Sequence, residues 1–437
     1  MSRPGGDVLI RGGRVFDPRS GRDEECDLRV SGGYIAEFGQ LTPRGGEEEV
    51  DAKGLLVAPG LIDICVHLRE PGFEEIETIR SGARAALAGG FTSIAAMPDT
   101  DPPVDNEASA TYVRLKGEEA DAARVHVVGA LTRGREGKTL SEMGGMQRAG
   151  AVAFSDEENG VDSSEIFLRA LRYGGMLDRP ILTRCEDRAL RGSGVASSGL
   201  LADLLGLPSI PDGTEEVAVE RNLRLARSVG ADLHLLHLST AESISEVAQA
   251  KTAGVPVTCS ITPQHLLFTE EEIKSYDPVF KCNPPLRRES DRAALRQALR
   301  DGCVDAVSSA HAPRGEGEKN LEFIYAMNGT GGLETTFAVL YTKLVEEGEL
   351  SLHRLLDSLT TRPARILKIP YGELKVGAPA DITCFDLKEE WTIDPAELVS
   401  NSKITPFAGW RVRGRARHAI VGGRVLLRDR ELRSAVS

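Results

Sequence analysis

Three polar residues end an apolar segment in the first part of the chain. Cys65, His67 and Arg69 alternate with apolar residues in the run Ile-Asp-Ile-Cys-Val-His-Leu-Arg. On a β-strand, side chains two positions apart lie on the same face, so these three are predicted to point into one space. Thiolate and imidazole bind zinc, and guanidinium binds carboxylates. The spacing therefore predicts a metal-binding strand end beside an anion-binding arginine.

The elements that must position these residues form a regular series. Short apolar segments alternate with amphipathic helical stretches, which is typical of parallel βα units. Eight such strands are predicted, and they span residues 60–67, 92–97, 125–131, 151–156, 180–185, 233–237, 255–262 and 304–311. Eight units predict an α/β fold, a (β/α)8 TIM-like barrel whose site lies at the C-terminal strand ends. An open doubly wound sheet is the alternative, but no Gly-x-Gly-x-x-Gly follows the first strand.

The two ends of the chain carry similar patterns. Residues 8–17 and 418–427 each read as strand, Gly-Gly turn and strand. We therefore predict one small composite β domain, residues 1–56 plus 371–437, around a barrel of residues 57–370. Two unrelated hairpins are the alternative. The longest loop-like stretch, residues 191–213, is rich in Gly, Ser and Pro and is a candidate lid over the barrel mouth.

Composition and charge restrict the class of protein. The net charge of -13 argues against a nucleic-acid surface, and the basic run 411–417 is predicted to be solvated. No apolar segment approaches the roughly 20 residues that cross a bilayer, and we expect a cytoplasmic protein without membrane contact. The seven cysteines show no paired spacing of the disulfide or zinc-finger kind.

Polar residues recur at the other strand ends. These residues are Cys65, His67, Arg69, Asp99, Asp156, Arg184, Glu186, Asp187, His237 and His311. Histidines and carboxylates from separate strand ends are what a metal site on a barrel uses. For any single histidine, a hydrogen-bonded structural imidazole is the alternative. By alternation His126 and His234 face the other way and are predicted to be packing or surface residues.

Several segments together resemble one known family. These segments are His-Leu-Arg-Glu-Pro-Gly at 67–72, Met-Pro at 97, Ala-Phe-Ser-Asp at 153–156, Cys-Glu-Asp at 185–187, His-Leu-Ser-Thr at 237–240, Thr-Pro at 262, Asn-Pro-Pro-Leu-Arg at 283–287, His-Ala-Pro at 311–313, Gly-Leu-Glu-Thr at 332–335 and Thr-Pro-Phe at 405–407. In this order they resemble the dihydroorotases of the amidohydrolase superfamily over essentially the whole chain. The resemblance implies a (β/α)8 barrel with a composite β domain, a zinc centre, and interconversion of carbamoyl aspartate and dihydroorotate in pyrimidine synthesis. Hydantoinases are less similar because they carry a carboxylated lysine after the fourth strand; allantoinase is a closer alternative.

The resemblance also assigns individual positions. It implies metal ligation by His67, Asp156 and His237, with Cys65 in place of a histidine. It implies substrate binding by Arg69, Asn283, Arg314 and, at the position of an asparagine, Asp99.

At two positions the chain differs from the family in residues that carry out the chemistry. Arg184 stands where the family has a histidine ligand, and guanidinium has no lone pair to offer. Ala310 stands where the family has the aspartate that serves as metal ligand and general acid/base, and a methyl group does neither. We therefore expect zinc to be absent or partly bound. We further hypothesise that an ion pair between Arg184 and Asp156 replaces part of the centre.

These departures lead to two functional hypotheses. The first is a catalytically inactive dihydroorotase homologue that serves as a structural or regulatory partner of aspartate carbamoyltransferase, as some bacterial homologues do. The alternative is an active zinc dihydroorotase with an atypical metal site; an allantoinase-like cyclic amidohydrolase is a third. The resemblance also implies a homodimer within a larger complex.

Overall fold

The computed structural model describes residues 6–433. The N-terminal part consists of extended segments that bury apolar side chains on one face and expose polar ones on the other. Its strands are β1 (Val8–Asp17), β2 (Arg22–Ser31), β3 (Tyr34–Gly39), β4 (Glu48–Asp51) and β5 (Leu56–Pro59).

The middle of the chain contains a parallel sheet of eight strands that is curved into a barrel. The central part of the chain has the strands β6 (Leu61–Val66), β7 (Phe91–Ala96), β8 (Arg124–Gly129), β9 (Ala153–Phe154), β10 (Ile181–Arg184), β11 (Ala196–Ser197), β12 (Ser209–Ile210), β13 (Leu233–Leu236), β14 (Val257–Ile261) and β15 (Ala306–Val307). All but β11 and β12 form the barrel sheet, in sequence order from β6 to β15. The eight predicted strands are confirmed.

The first and eighth barrel strands are joined by a buried side chain. Asp63 in β6 accepts hydrogen bonds from the Ser308 hydroxyl at 2.7 Å and from the Ser309 backbone N–H at 2.9 Å. Asp63 is fully buried, and burial raises the pKa of its carboxyl group against these hydrogen bonds. This link holds β6 against the residues that follow β15 and so joins the two edges of the sheet.

The helices lie in the connections between the barrel strands and after the last of these strands. They are α1 (Ile79–Ala88), α2 (Glu107–Ala120), α3 (Met143–Arg148), α4 (Ser164–Met176), α5 (Arg188–Arg191), α6 (Leu200–Leu205), α7 (Thr214–Val229), α8 (Ala241–Thr252), α9 (Pro263–Leu267), α10 (Glu289–Asp301), α11 (Glu316–Lys319), α12 (Thr336–Leu340), α13 (Leu352–Leu359) and α14 (Thr361–Leu367). Several begin at a polar cap: Thr78 accepts from the Ser81 N–H at 3.0 Å at the start of α1. Among residues 6–433, no helix is both long and apolar enough to cross a membrane.

The stretch 191–213 is folded, so its description as a loop is corrected. Strands β11 and β12 pair in parallel, and α6 lies between them. Ala196, Ala202 and Leu207 pack with Ile273 and Phe323 in a small apolar cluster of their own. Because this stretch is rich in Gly, Ser and Pro, its few apolar positions were not recognised as a packed cluster in the sequence. Its role as a lid stays a prediction.

The C-terminal part completes a sheet with the N-terminal strands. It contains β16 (Ile382–Asp386), β17 (Trp391–Thr392), β18 (Arg411–Val412), β19 (Arg415–Val421), β20 (Arg424–Arg428) and β21 (Glu431–Leu432). The order β21-β20-β19-β16-β5-β1-β2-β3, with β4 on β1, gives nine strands. A β domain built from both termini is therefore confirmed; its exact boundaries stay a prediction.

Of the two predicted terminal hairpins, the structure contains one. Gly422 and Gly423 form the turn between β19 and β20. Gly12 and Gly13 instead lie inside β1, where a bulge shifts the register against β2. A Cβ on Gly13 would lie 2.4 Å from a methyl of Val57, so the glycine is needed for close approach of β5 and does not mark a turn.

Candidate active site

The site residues lie where the barrel strands end and the backbone turns away. Arg69, His237 and Ala310 have φ values of 63°, 55° and 54°, in the left-handed region that side chains seldom adopt. Such strained positions persist where the surrounding structure fixes them, and they concentrate at functional sites. Here they follow β6, β13 and β15.

Three metal-ligating side chains meet inside the barrel mouth. Cys65, Glu157 and His237 each place a ligand atom within 4.8 Å of the other two, and all three are buried. They form a candidate metal-binding group with sulfur, oxygen and nitrogen donors. Two of the three, Cys65 and His237, were predicted from the sequence. Glu157 was missed, because in the run Ser-Asp-Glu-Glu at 155–158 the sequence does not show which carboxylate turns inward.

Asp156 does not join this group. Its Oδ1 accepts from the backbone N–H groups of Leu131 at 2.8 Å and Thr132 at 3.1 Å, and its Oδ2 accepts from the Thr132 hydroxyl. The carboxylate therefore holds the end of β8 in place. In this structure the next residue, Glu157, takes the inward position, and the metal role of Asp156 stays a prediction.

Arg184 reaches into the same space from β10. Its Nη2 contacts Oε1 of Glu157, and both side chains are buried. The predicted ion pair between Arg184 and Asp156 is therefore wrong, because Asp156 is bound by Thr132 and Glu157 takes the guanidinium. When the Asn283 amide is oriented to satisfy its neighbours, its oxygen accepts from Arg184 Nη1 at 2.9 Å. Asn283, predicted to bind substrate, thus contacts the arginine.

The charge state of the group is set by burial and by Arg184. Burial, followed by the charge of Arg184, lowers the pKa of His237 well below its usual value. Burial, followed by the charge of Glu157, raises the pKa of the Cys65 thiol well above its usual value. The group therefore contains a neutral imidazole, a protonated thiol and a carboxylate that is already neutralised by a guanidinium.

The Cys65, Glu157 and His237 group has the donor atoms for one zinc ion. Buried Glu157 Oε2 and His237 Nε2 have no hydrogen-bond partner among the described residues, and these donor types are suitable for one ion. A dication there would lie beside the Arg184 guanidinium and would need the Cys65 proton to leave. Arg184 and Ala310, which line the same space, have no lone pair to offer a second ion.

His67, Arg69 and Asp99 form a second cluster beside this group. Oδ2 of Asp99 is 2.7 Å from Nδ1 of His67 and 2.8 Å from Nη1 of Arg69. Arg314 lies further out, where its Nε donates to the Asn328 carbonyl at 2.7 Å. The sequence predicted His67 as a metal ligand; the structure places its imidazole against Asp99, outside the Cys65 group.

The space between these side chains is small. A cavity of about 40 Å³ remains, and its walls include His67, Glu158, Arg184, His237 and Ala310. Small-molecule pockets typically measure about 300 to 1,000 Å³. In this conformation the cavity at the barrel mouth is therefore well below that range.

The two histidines that were predicted to face away from the site, His126 and His234, have structural roles. His234 is fully buried and bonds Thr258 at 2.8 Å and Ser260 at 3.1 Å on the neighbouring strand. His126 bonds Ser93 at 3.3 Å. Their predicted packing role is confirmed.

The chain matches two protein families. Residues 54–243 match a family described as Dihydro-orotase-like, and residues 208–426 match the Amidohydrolase family. A protein named Dihydroorotase from Pelotomaculum thermopropionicum is 45% identical over 98% of this chain and 100% of its own length. One of the same name from Geobacter metallireducens is 44% identical over 96% of this chain and 99% of its own.

Solved structures share the architecture. An L-hydantoinase (dihydropyrimidinase) from Arthrobacter aurescens superimposes with a TM-score of 0.87 at 25% identity and covers 98% of each chain. A dihydropyrimidinase from Brevibacillus agri has a TM-score of 0.86 at 22% identity, over 98% of this chain and 96% of its own, and shows the fold alone. A relative named Dihydroorotase is 45% identical over 98% of the chain, and residues 208–426 match the Amidohydrolase family. The chain therefore belongs to the dihydroorotase family of the amidohydrolases.

Proposed function

We propose that this dihydroorotase-family protein acts in pyrimidine biosynthesis without hydrolysing the cyclic amide, as a structural partner of aspartate carbamoyltransferase. The observation that carries the proposal is the buried ion pair between Arg184 and Glu157, which fills the space where metal-ligating side chains converge. A pocket closed by an internal ion pair favours a role in structure over a role in turnover.

Hydrolysis of a cyclic amide needs an activated water, a polarised carbonyl and a group that moves a proton to the ring nitrogen. Ala310 lines the cavity with a methyl group where that proton carrier would stand. Loss of a positioned acid/base costs about 10²- to 10⁴-fold in rate. His311, the next residue, does not line this cavity: its Nδ1 accepts from the Gly332 N–H at 3.2 Å, and its Nε2 lies 3.7 Å from Oε2 of Glu77.

The alternative is an active dihydroorotase with an atypical site. It is favoured by the relatives, since proteins that are 43% to 45% identical over nearly their whole length carry that name and nothing in the names marks a non-catalytic protein. In that case the Cys65, Glu157 and His237 group would hold a single ion. An allantoinase-like activity has no observation of its own in its favour.

Zinc content and turnover separate these proposals. The purified chain is assayed for hydrolysis of dihydroorotate and of allantoin, with and without added zinc, and bound zinc is counted by mass spectrometry. We expect less than one zinc per chain and no turnover above the buffer rate. Dihydroorotate turnover that depends on bound zinc would establish the active alternative, and turnover of allantoin would establish the third hypothesis.

The partner is proposed from the sequence resemblance and needs its own experiment. The full chain is mixed with the aspartate carbamoyltransferase of the same organism and run on size-exclusion chromatography with light scattering. We expect co-elution, and we expect the chain alone to have twice its mass of 47.0 kDa, as a dimer. Separate elution at all concentrations tested would contradict the partnership.

A further inference from the structure

The carboxylate of Asp99 lies between two buried side chains at the barrel mouth. A single oxygen, Oδ2, is 2.8 Å from Nη1 of Arg69 and 2.7 Å from Nδ1 of His67. The exposed fractions of His67, Arg69 and Asp99 are 2%, 4% and 7%. The anion that this arginine binds is therefore supplied by the chain itself.

The other donors of Arg69 leave little room for a second anion. Its Nε donates to the carbonyl of Pro313 at 3.2 Å, and this bond fixes the guanidinium in place. Its Nη2 is buried and has no partner among residues 6–433. A carboxylate that binds guanidinium through two parallel hydrogen bonds needs two neighbouring free N–H groups. With Nε and one N–H of Nη1 engaged, Nη2 is the one nitrogen of Arg69 with no partner among residues 6–433.

A ligand carboxylate would also meet negative charge at this place. It would approach Asp99 directly, and Glu158 lies nearby at the cavity wall, 3.8 Å from Arg314. Like charges that meet in a partly desolvated site repel each other. Charge repulsion and the hydrogen bonds that Arg69 already makes thus both disfavour binding of a ligand carboxylate at this place.

We infer that Asp99 is an internal carboxylate that occupies the anion position of Arg69 and so excludes small organic carboxylates from the barrel mouth. The inference rests on the proposed function for its choice of ligands, dihydroorotate and carbamoyl aspartate. An amide at this position keeps the size of the side chain but removes the charge. The Asp99→Asn variant should therefore bind these ligands through Nη1 and Nη2 of Arg69.

The experiment is isothermal titration of dihydroorotate and of carbamoyl aspartate into the full chain. Asp99→Asn should bind about 10- to 100-fold more tightly than wild type, as expected for a hydrogen bond to a charged group. Adding Arg69→Met should remove this gain. Glu158→Gln, which neutralises a nearby carboxylate that does not contact Arg69, is the matched control and should show a smaller gain than Asp99→Asn, because it removes charge repulsion without freeing Arg69. If Asp99→Asn does not fold by circular dichroism, Asp99→Ser takes its place.

Two results would overturn the inference. One is a wild-type chain that binds these ligands as tightly as Asp99→Asn, and the other is a gain that survives Arg69→Met. Its failure is distinguishable from failure of the proposed function. Binding by the wild type without turnover overturns the inference alone, whereas turnover by the wild type overturns the proposed function.

Discussion

Arg184 and Glu157 form an ion pair in the interior of the barrel, with side chains 6% and 0% exposed. The carboxylate is also a member of the candidate metal-binding group, so the guanidinium and a metal ion compete for it. Buried charges are costly when they are unpaired. The pair therefore neutralises the buried charge of Glu157 without a metal.

Removing one member of this pair should destabilise the fold more than removing both. Arg184→Met alone leaves Glu157 buried and unpaired, and we expect a loss of about 3 to 5 kcal/mol in the free energy of unfolding. Arg184→Met with Glu157→Leu should lose less than either single change. Urea unfolding of the three variants measures the coupling.

The control for this cycle is an exposed pair. Lys138 and Glu136 are 3.0 Å apart with side chains 78% and 60% exposed, and Lys138→Met should cost about 1 kcal/mol at most. Additive losses at Arg184 and Glu157 would mean that the buried pair contributes no interaction energy.

The buried His234 should make the protein less stable in mild acid. Burial lowers its pKa to about 3, whereas an unfolded histidine titrates near 6.5. Below that unfolded value the unfolded state binds the extra proton, so stability falls as the pH decreases toward 3. Between pH 7 and pH 5 this one group should cost roughly 2 kcal/mol.

The variant His234→Gln checks that assignment. Its free energy of unfolding, measured at pH 7 and at pH 5, should change by roughly 2 kcal/mol less than that of the wild type. The glutamine retains a partner for Ser260 or Thr258, so the two proteins are compared by their pH dependence and not by their stability at one pH. Equal pH dependence would contradict a neutral buried imidazole.

The Cys65 thiol should resist alkylation in the folded protein. It is fully buried, and burial raises its pKa, so both access and thiolate content are low. Iodoacetamide at pH 8 should label the partly exposed Cys26 and Cys303 first, as seen by peptide mass spectrometry. Labelling of Cys65 at the rate of Cys26 would indicate that the cavity is open in solution.

The sequence was sufficient to predict the barrel because its signals are local. Each of the eight strands is an apolar segment followed by a polar residue, and their order is the order in the sheet. The Gly-Gly of residues 12 and 13 was misleading, because close approach of a neighbouring strand and a turn both require glycine. That difference depends on Val57, which is distant in sequence.

The site was predicted in part. Cys65 and His237 followed from the position of polar residues at strand ends, and the structure brings them together. The choice between Asp156 and Glu157 could not be predicted, because it depends on which carboxylate Thr132 binds after the third barrel strand. The partner of Arg184 depended on the same choice. A contact across strands decides both outcomes, and sequence spacing carries no signal for it.

The hydrolysis rate of the wild type beside the triple variant Cys65→His, Arg184→His and Ala310→Asp tests the central claim most directly. Both proteins are assayed with dihydroorotate in the presence of zinc, and zinc is counted in each. We predict the buffer rate for the wild type and a gain of about 10²-fold or more, with bound zinc, for the variant, because an acid/base and two ligands return. A wild type that turns over dihydroorotate as fast as the variant would contradict the account.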